Sequence, residues 1–265
     1  MSPHADRPSI SIVTPSLNQG RFIEETIQSV LQQDYPNIEY VVMDGGSTDE
    51  TMSILKKYDG RLRWVSEPDC GQSDAINKGW RLCRGEIVAY LNADDTYAPG
   101  ALASVAETFS GHPAAAMVYG ECRSFWPDGR QVINQPPATV TAAALIDQGN
   151  LIFQPASFLR RTALERAGGI DPSIRYWMDY DLYIRLATVG PFVRLPRVLA
   201  NFRVHDEQKS ADAPALYREA RQISRQHGGR FFSAMFWEHH RRLRWLIHQG
   251  RRVRRMLTAS TAESQ

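Results

Sequence analysis

Short apolar runs alternate with amphipathic stretches along the first 120 residues of the chain. Residues 9–14 (Ser-Ile-Ser-Ile-Val-Thr) are rich in β-branched side chains, which is typical of a strand. A helical stripe at i, i+4, i+7 and i+8 follows, formed by Ile23, Ile27, Val30 and Leu31. A second apolar run lies at residues 38–43, and two strands joined by a helix are expected to be parallel.

The same alternation continues to residue 91. Ser47 and Glu50 have the spacing of a capping box, which predicts a helix that buries Ile54, Leu55 and Tyr58. A short strand near residues 62–65, a helix at about residues 73–83 and a buried strand at residues 87–91 follow. This pattern predicts an α/β fold with an open, mostly parallel sheet and helices on both faces.

Beyond residue 120 the alternation is less regular. Residues 126–129 predict a hairpin turn, and residues 156–159 predict a strand. One helix is expected at residues 161–167, closed by two glycines, and another near residues 180–189. We therefore divide the chain at residues 120 and 212.

Composition is that of an ordinary globular protein, with 265 residues and a mean hydropathy of −0.39. No apolar run reaches the roughly 20 residues that a membrane-spanning helix needs, and the first eight residues do not resemble a secretory signal. A cytoplasmic protein is therefore expected. The three cysteines lack CxxC spacing, so we interpret them as reduced thiols rather than as disulfides or zinc ligands.

Basic residues are concentrated at the end of the chain, although the net charge is only +2. Aromatic and aliphatic residues are interleaved with Arg230, Arg241, Arg242, Arg244, Arg251, Arg252, Arg254 and Arg255. This composition predicts a basic, aromatic helical extension over residues 213–265 that contacts an anionic membrane surface, peripherally. In the alternative interpretation the aromatic residues pack on the domain and the arginines are solvated. Nucleic acid is not the expected partner.

Two adjacent carboxylates, Asp94 and Asp95, come directly after the predicted strand at residues 87–91. Ligands collect at the carboxyl ends of strands in α/β sheets, and Mg²⁺ or Mn²⁺ takes oxygen ligands while leaving positions free for phosphates. A metal-diphosphate site is therefore one interpretation. The other is an acidic turn that precedes Pro99 and Gly100.

Asp44 stands at the end of another predicted strand and is followed by two glycines, which let a ligand approach the backbone. A nucleotide base or ribose is expected there. The first strand is not followed by G-x-G-x-x-G, which argues against a dinucleotide-binding fold, and no P-loop motif occurs.

Four ordered segments together resemble the family 2 glycosyltransferases. They are residues 14–18 (TPSLN), 44–49 (DGGSTD), 67–79 (EPDCGQSDAINKG) and 92–95 (NADD). The resemblance covers roughly residues 9–210. It implies the GT-A fold, a nucleotide-diphosphate sugar donor, a divalent metal ion (Mn²⁺ or Mg²⁺) and inversion at the anomeric carbon. It also implies that residues 1–120 form the donor-binding half and residues 121–212 the acceptor and catalytic half of one domain.

The resemblance also assigns binding residues. The expected donor-binding residues are Pro15, Ser16, Asp44, Gly71, Asp74, Asn77, Lys78, Asn92 and Asp94. The expected metal ligands are Asp94, Asp95 and His205, with Asn92 standing where the family has its first acid. Arg203 and Lys209 are both suited to contact phosphate.

Residues 177–182 (Trp-Met-Asp-Tyr-Asp-Leu) resemble the family's E-D-x-D-L segment, with Met178 where Glu is usual. The resemblance assigns the general base to Asp179, with Asp181 as the second candidate. Trp177, Tyr180 and Asp181 are expected on the acceptor side. The alternative for the acidic pair is a first turn that is favoured by the helix dipole.

The expected function is metal-dependent sugar transfer to a hydroxyl group of a saccharide or lipid-linked acceptor, in the synthesis of a cell-surface polysaccharide or glycolipid. Two alternatives remain open: a nucleotidyltransferase, and a non-catalytic module that binds nucleotide sugars.

Overall fold

The first half of the chain forms a parallel βα unit. The computed structural model describes residues 7–209 and 213–229. Its first elements are β1 (Ile10–Ser16), α1 (Ile23–Leu31), β2 (Ile38–Asp44), α2 (Thr51–Lys56), β3 (Arg63–Ser66), α3 (Gln72–Leu82) and β4 (Ile87–Tyr90). β1 pairs in parallel with β2 and with β4, and β2 pairs in parallel with β3. The strands and helices predicted for this half are confirmed.

The second half extends the same sheet with mixed pairing. Its elements are β5 (Thr96–Tyr97), α4 (Ala101–Gly111), β6 (Met117–Phe125), β7 (Gln131–Asn134), α5 (Ala142–Gln148), a 3-10 turn (Gln154–Ala156), β8 (Ser157–Arg160), α6 (Arg161–Ala167), α7 (Met178–Val189), β9 (Phe192–Arg203) and α8 (Ala213–Gln226). The strand order is β3-β2-β1-β4-β8-β6-β9-β5, with β7 paired to β6.

Among the strands of the described residues, the first four pair in parallel, as do β6 and β9. The β4–β8, β5–β9, β6–β7 and β6–β8 pairs are antiparallel. A tight turn at residues 126–129 joins β6 to β7, as predicted, and such a turn requires an antiparallel pair. The α/β class is confirmed, but most of the strand pairs formed after β4 are antiparallel.

Helices cover both faces of the sheet because side chains alternate along each strand. Ile10 and Ile12 of β1 pack into the cluster that includes α1, α2 and α4, whereas Val13 packs into the cluster formed by α3, α5, α6 and α7. All three side chains are fully buried. The helices thus bury both faces of the central strands, and the parallel pairing of β1, β2, β3 and β4 places their carboxyl ends at the same edge of the sheet.

The capping box predicted at residues 47–50 is wrong, although the helix itself is present. The Ser47 hydroxyl donates to Asp44 and accepts the N–H of Asn18, so it is not available to cap α2. Glu50, the residue at the cap position, makes no side-chain cap bond. The helices α4 and α5 and the long strand β9 were not predicted.

The three cysteines carry free thiols, as expected; Cys70 is exposed and Cys83 and Cys122 are buried. No helix in the described part of the chain is long and apolar enough to cross a membrane. Of the predicted extension over residues 213–265, the structure describes residues 213–229, and α8 (Ala213–Gln226) lies in this part. The arginine-rich and aromatic segment from residue 230 onward lies outside the described residues.

The packing of α3 on β1 makes a prediction about Gly79. A Cβ atom at this position would lie 2.5 Å from Val13 Cγ1, which is far inside van der Waals contact. The strain of overpacking, about 1–3 kcal/mol, exceeds the helix propensity gained. We expect Gly79→Ala to lower the free energy of unfolding by about 1–2 kcal/mol in urea denaturation.

Gly111, at the end of α4, is the matched control because a Cβ atom there would meet nothing within 4 Å. We expect Gly111→Ala to leave the stability unchanged or slightly higher. Equal effects of the two substitutions would contradict the close packing of α3 on β1.

Candidate functional site

The carboxyl ends of β1 and β2 bring the predicted nucleoside residues together. Ser16 is the register partner of Asp44, and Pro15 is the partner of Met43. The Ser16 hydroxyl is buried and has no hydrogen-bond partner among the described residues. Because buried polar groups are normally paired, this hydroxyl is available to a polar group of a ligand at the strand ends.

Asp44 is a buried carboxylate that its own loop holds in place, with 2% of its surface exposed. Its Oδ2 atom accepts the N–H groups of Gly46 (3.1 Å) and Ser47 (2.9 Å) and the hydroxyl of Ser66 (2.7 Å). Its Oδ1 atom accepts the Ser47 hydroxyl. Asp44 therefore fixes the loop after β2 and the end of β3, and Oδ1 retains capacity for a further donor.

The segment that leads into α3 and the helix itself contain a cluster of charged side chains that pair with one another. Gly71 precedes the helix with φ 106°, a value that favours glycine. The Lys78 ammonium lies 3.1 Å from both Glu67 and Asp74, so its charge is already balanced. The Cys70 N–H, the largest cause, and Lys78 lower the pKa of Asp74.

Asn77 holds the turn after α6 against α3. Its amide nitrogen donates to the Ile170 carbonyl (2.7 Å), and its amide oxygen accepts the Ile170 N–H (3.2 Å). The amide nitrogen has a second N–H and the amide oxygen a second lone pair, so the contact of Asn77 with the donor stays a prediction.

The two acids after β4 have different surroundings. Asp94 has a partly exposed carboxylate whose Oδ2 atom lies 3.0 Å from His205 Nε2. Asp95 is fully buried, and its Oδ1 atom accepts the backbone N–H of Arg203 at 3.0 Å. Burial and, next, the charge of Asp94 raise the pKa of Asp95 well above its ordinary value. The structure therefore corrects the prediction for Asp95, which supports the turn from inside the protein.

Arg203 also acts as a structural residue of this turn. Its Nε atom donates to the Asp94 carbonyl (3.0 Å), and its guanidinium pairs with Glu25. The guanidinium carbon lies 5.0 Å from the Phe22 ring centroid and 4.7 Å from the Phe125 ring centroid. These contacts occupy Arg203, so it fixes the backbone of the acidic turn.

Asp94 and His205 suit a divalent cation that a substrate completes. No group of three metal-binding side chains is assembled within the described residues. The His205 ring is largely buried beside Phe22, and its Nδ1 atom has no partner among the described residues. One carboxylate and one imidazole leave positions open for phosphate oxygens and water, which is how Mg²⁺ and Mn²⁺ are commonly held beside phosphates. The residues present fit this kind of ion.

Asp179 lies in the first turn of α7 and is buried, with 9% of its surface exposed. Its Oδ2 atom accepts the side-chain amide of Asn150 at 2.8 Å. Burial, the largest cause, raises the pKa of Asp179 to about 6, although helix N–H groups, Asn150 and the charge of Lys209 act in the opposite direction. A carboxylate with this pKa is a stronger base than an ordinary aspartate, which suits general-base chemistry near neutral pH.

A chain of hydrogen bonds runs from the acidic turn to a cation near Asp179. Asn92 accepts the amide of Gln72 (2.7 Å), and Gln72 in turn accepts the ammonium of Lys209 (2.9 Å). Lys209 is exposed when the whole residue is considered. Burial of its ammonium is the largest cause of a lowered pKa, whereas the charge of Asp179 acts to raise that pKa. This chain connects the region of the predicted metal with the region of the predicted base.

The sequence analysis missed Gln72, Asn150 and Gln154. Gln154 donates to the Tyr90 carbonyl (2.7 Å) and accepts weakly from Asn92 (3.4 Å). Gln72 lies inside one of the four motifs, so its position there was a signal that could have identified it. Asn150 and Gln154 stand as single polar residues in an irregular segment, where the pattern alone gave no signal.

The residues expected on the acceptor side form hydrogen bonds and ion pairs with other parts of the protein. Tyr180 is 1% exposed, and its hydroxyl donates to the Leu145 carbonyl, so it belongs to the core. Asp181 pairs with Arg185 (2.7 Å) and His227 (2.8 Å), because a two-residue step on a helix turns it well away from Asp179. Trp177 is half-buried, and its Nε1 atom donates to the Leu216 carbonyl of α8. The expectations for Tyr180 and Asp181 are corrected.

Comparison with known proteins gives a family match for the central part of the chain. Residues 11–168 match the model of glycosyl transferase family 2. A chondroitin synthase of Escherichia coli is 29% identical over 215 residues, which cover 80% of this chain and 31% of that protein. The chain therefore spans about a third of the length of this relative.

Solved structures share the fold. The Staphylococcus aureus protein TarS (residues 1–349, in complex with UDP) superimposes with a TM-score of 0.66 at 19% identity, covering 85% of this chain and 68% of that one. A mannosyltransferase from Pyrobaculum calidifontis, in complex with GDP-Man and Mn²⁺, gives a TM-score of 0.65 at 21% identity, covering 88% and 69%. Both have the GT-A fold, which confirms the predicted fold class.

The raised pKa of Asp179 predicts a pH-dependent change in stability when its charge is removed. Between an unfolded pKa near 4 and a folded pKa of about 6, the folded state binds more protons, so its stability falls as pH rises. We expect Asp179→Asn to be more stable than the wild type above pH 7, by roughly 2–3 kcal/mol, and equal to it below pH 4. Urea denaturation at pH 4 and pH 8 measures this difference.

Asp171 provides the control of opposite sign. The Ser173 hydroxyl, the largest cause, and the Ser173 N–H lower the pKa of Asp171. Its contribution to stability is present above the unfolded pKa, so we expect Asp171→Asn to be less stable than the wild type at pH 8. A destabilised Asp179→Asn variant at pH 8 would show that the Asp179 carboxylate is not held in an unfavourable environment.

Proposed function

This chain belongs to glycosyltransferase family 2. We propose that it is an inverting, metal-dependent enzyme that transfers the sugar of a nucleotide-diphosphate sugar to an acceptor hydroxyl. One observation carries the proposal: Asp94 pairs with His205 in the acidic turn, and a buried Asp179 of raised pKa lies at the start of α7. Hydrogen bonds join Asn92, Gln72 and Lys209, and the charge of Lys209 acts on Asp179. Departure of a diphosphate and removal of an acceptor proton are the two tasks that such a transfer requires.

The donor binds at the carboxyl ends of β1, β2 and β4 in this proposal. The Ser16 hydroxyl is buried without a partner among the described residues, and Asp44 Oδ1 has remaining capacity; both support a nucleoside contact there. TarS in complex with UDP or UDP-GlcNAc and the mannosyltransferase in complex with GDP-Man support a nucleotide-sugar donor. Pro15 lies at the same strand end, and the Asn92 side-chain amide donates to Asp95 at 3.5 Å.

Asp94 and His205 would hold the metal ion, either Mn²⁺ or Mg²⁺. When bound, the ion supplies positive charge that stabilises the departing diphosphate. The Mn²⁺ in the structure of the mannosyltransferase supports this part of the proposal. Asp95 and Arg203 hold the turn on which Asp94 is placed, since Arg203 binds the carbonyl of Asp94 and the carboxylate of Asp95.

Asp179 takes the proton of the acceptor hydroxyl. A new bond forms between the acceptor oxygen and the anomeric carbon as the bond from that carbon to the diphosphate breaks, so a single displacement inverts the configuration. Asn150 and helix N–H groups hold the Asp179 carboxylate in place. Only the ionised carboxylate is competent, and burial sets its pKa at about 6.

The acceptor is proposed to be a saccharide or a lipid-linked saccharide at the cytoplasmic face of a membrane, in the synthesis of a surface polysaccharide or glycolipid. Similarity to a chondroitin synthase supports a saccharide acceptor. The arginine-rich, aromatic sequence from residue 230 onward supports contact with an anionic membrane surface. Half-buried Trp177, next to the first turn of α7, is the remaining acceptor-side candidate.

The donor site is tested by thermal shift with UDP, GDP, dTDP and CMP, each with and without Mn²⁺ or Mg²⁺. We expect one nucleotide to raise the melting temperature by roughly 5–10 °C at about 100 times its Kd, and only with metal. Asp94→Ala and His205→Ala should remove the metal-dependent part of this shift. Glu207→Gln, an exposed carboxylate in the same loop, is the control and should retain it.

The outcomes of this panel also separate the alternatives. Stabilisation without any transfer from the corresponding nucleotide sugar would favour a non-catalytic module. Release of pyrophosphate from a nucleoside triphosphate and a sugar phosphate would favour a nucleotidyltransferase. No binding of any nucleotide would overturn the donor site.

The base is tested by the pH dependence of transfer. We expect kcat to rise with pH, to be half-maximal near pH 6 and to level off above about pH 7, because protonation of Asp179 removes the base. Asp179→Asn should lower kcat by roughly 10²–10⁴-fold while the affinity for the nucleotide stays within about twofold of wild type. Loss of nucleotide binding together with activity would show that Asp179 has a structural role instead.

A further inference from the structure

One carboxylate from α8 binds the residues that lead into α7. Glu219 accepts the backbone N–H groups of Arg175 (2.7 Å), Tyr176 (2.6 Å) and Trp177 (2.8 Å). These three consecutive residues directly precede the first turn of α7, which carries Asp179. The start of this helix is therefore held by a residue more than 40 positions further along the chain.

Glu219 supplies what the start of α7 lacks locally. The first N–H groups of a helix have no partner within the helix, and those of the residues before it need partners as well. Trp177, the residue at the cap position, makes no side-chain cap bond of its own. A carboxylate is well suited to this position because the helix dipole favours negative charge at the N-terminus.

Further contacts fix α8 itself on the domain. Its Leu216 and Ile223 side chains are buried, and the Leu216 carbonyl accepts the indole N–H of Trp177. The Ser224 hydroxyl donates to the Ile146 carbonyl of α5 (3.0 Å), and His227 lies 2.8 Å from Asp181 of α7. Contacts on both sides of Glu219 thus hold α8 and the residue after it, His227, against α7 and the residue before it, Trp177.

We propose that Glu219 is a positioning residue that holds the first turn of α7, so that the Asp179 carboxylate stays buried and directed toward the acceptor. This inference rests on the proposed function, in which Asp179 is the general base. Glu219 acts through the backbone of residues 175–177, whereas Asn150 holds the carboxylate directly.

Loss of Glu219 would leave three N–H groups to be hydrated. The entry to α7 would then open to water, and Asp179 would become more exposed. The titratable groups that face Asp179 are Tyr90 from β4, Tyr183 from α7 and Lys209, and Glu219 itself acts on the ammonium of Lys209. Because burial is the main cause of the raised pKa of Asp179, hydration would lower that pKa.

The test compares Glu219→Ala, Glu219→Gln and the control Glu107→Gln, which removes an exposed carboxylate from α4. We expect Glu219→Ala to lower kcat at least tenfold, with the donor KM and nucleotide affinity within twofold, and to move the acidic limb of the pH profile to lower pH. Glu219→Gln retains one acceptor oxygen and should show a smaller loss. Glu107→Gln should match the wild type.

Hydrogen exchange of the full chain gives a readout that does not depend on activity. We expect Glu219→Ala to speed exchange of the amides of residues 175–180 while β1 and β2 stay protected. Unchanged exchange there, or a kcat no lower than that of Glu107→Gln, would overturn the inference. So would a parallel fall in nucleotide affinity and global stability. If the wild-type chain transfers no sugar, the proposed function fails, and the exchange result alone decides whether Glu219 holds α7.

Discussion

Four buried carboxylates among the described residues, Asp44, Asp95, Asp179 and Asp181, place the strongest physical constraint on this structure, because each must be hydrogen-bonded inside the protein or lose its charge. Asp181 is paired with Arg185 and His227. Asp44 receives four donors from its own loop and from the end of β3. Asp95 accepts the backbone N–H of Arg203, and the nearby charge of Asp94 raises its pKa. Asp179 has one side-chain donor, Asn150, and retains capacity to accept a proton.

The end of β9 and the loop after it organise the acidic turn. Arg203 binds Asp94 and Asp95 through its side chain and backbone, and His205 then meets Asp94. Lys209 reaches Gln72 at the start of α3. Three residues within seven positions thereby connect the acidic turn, the α3 segment and the surroundings of Asp179, which explains how a late strand completes a site that begins at the first four strands.

The family match ends at residue 168, whereas Asp179, His205 and Glu219 all lie beyond it. The matched part contains the parallel strands and the acidic turn. In the proposed function, the residues beyond it supply the base and the second metal-binding side chain, and α8 lies against the start of α7. Differences among relatives in this later part are therefore expected to alter the acceptor side more than the donor side.

The sequence by itself determined the α/β class, the parallel order of the first strands and most of the helices, because apolar periodicity is a local property that each element carries in its own residues. It also indicated Asp94 and Asp179, since both follow recognisable local patterns. It did not indicate the long strand β9, whose mixture of apolar and basic residues has no simple period.

Only the tertiary structure decided which polar side chains are free and which are already bound, because their partners come from distant parts of the chain. Asn77 is hydrogen-bonded to Ile170, and Asp181 is paired with Arg185 and His227. Asp94 is paired with His205 across 111 positions, and Glu219 reaches back to α7 across more than 40. Hydrogen bonds of this kind depend on the packed positions of whole elements, and no pattern within a single segment specifies them.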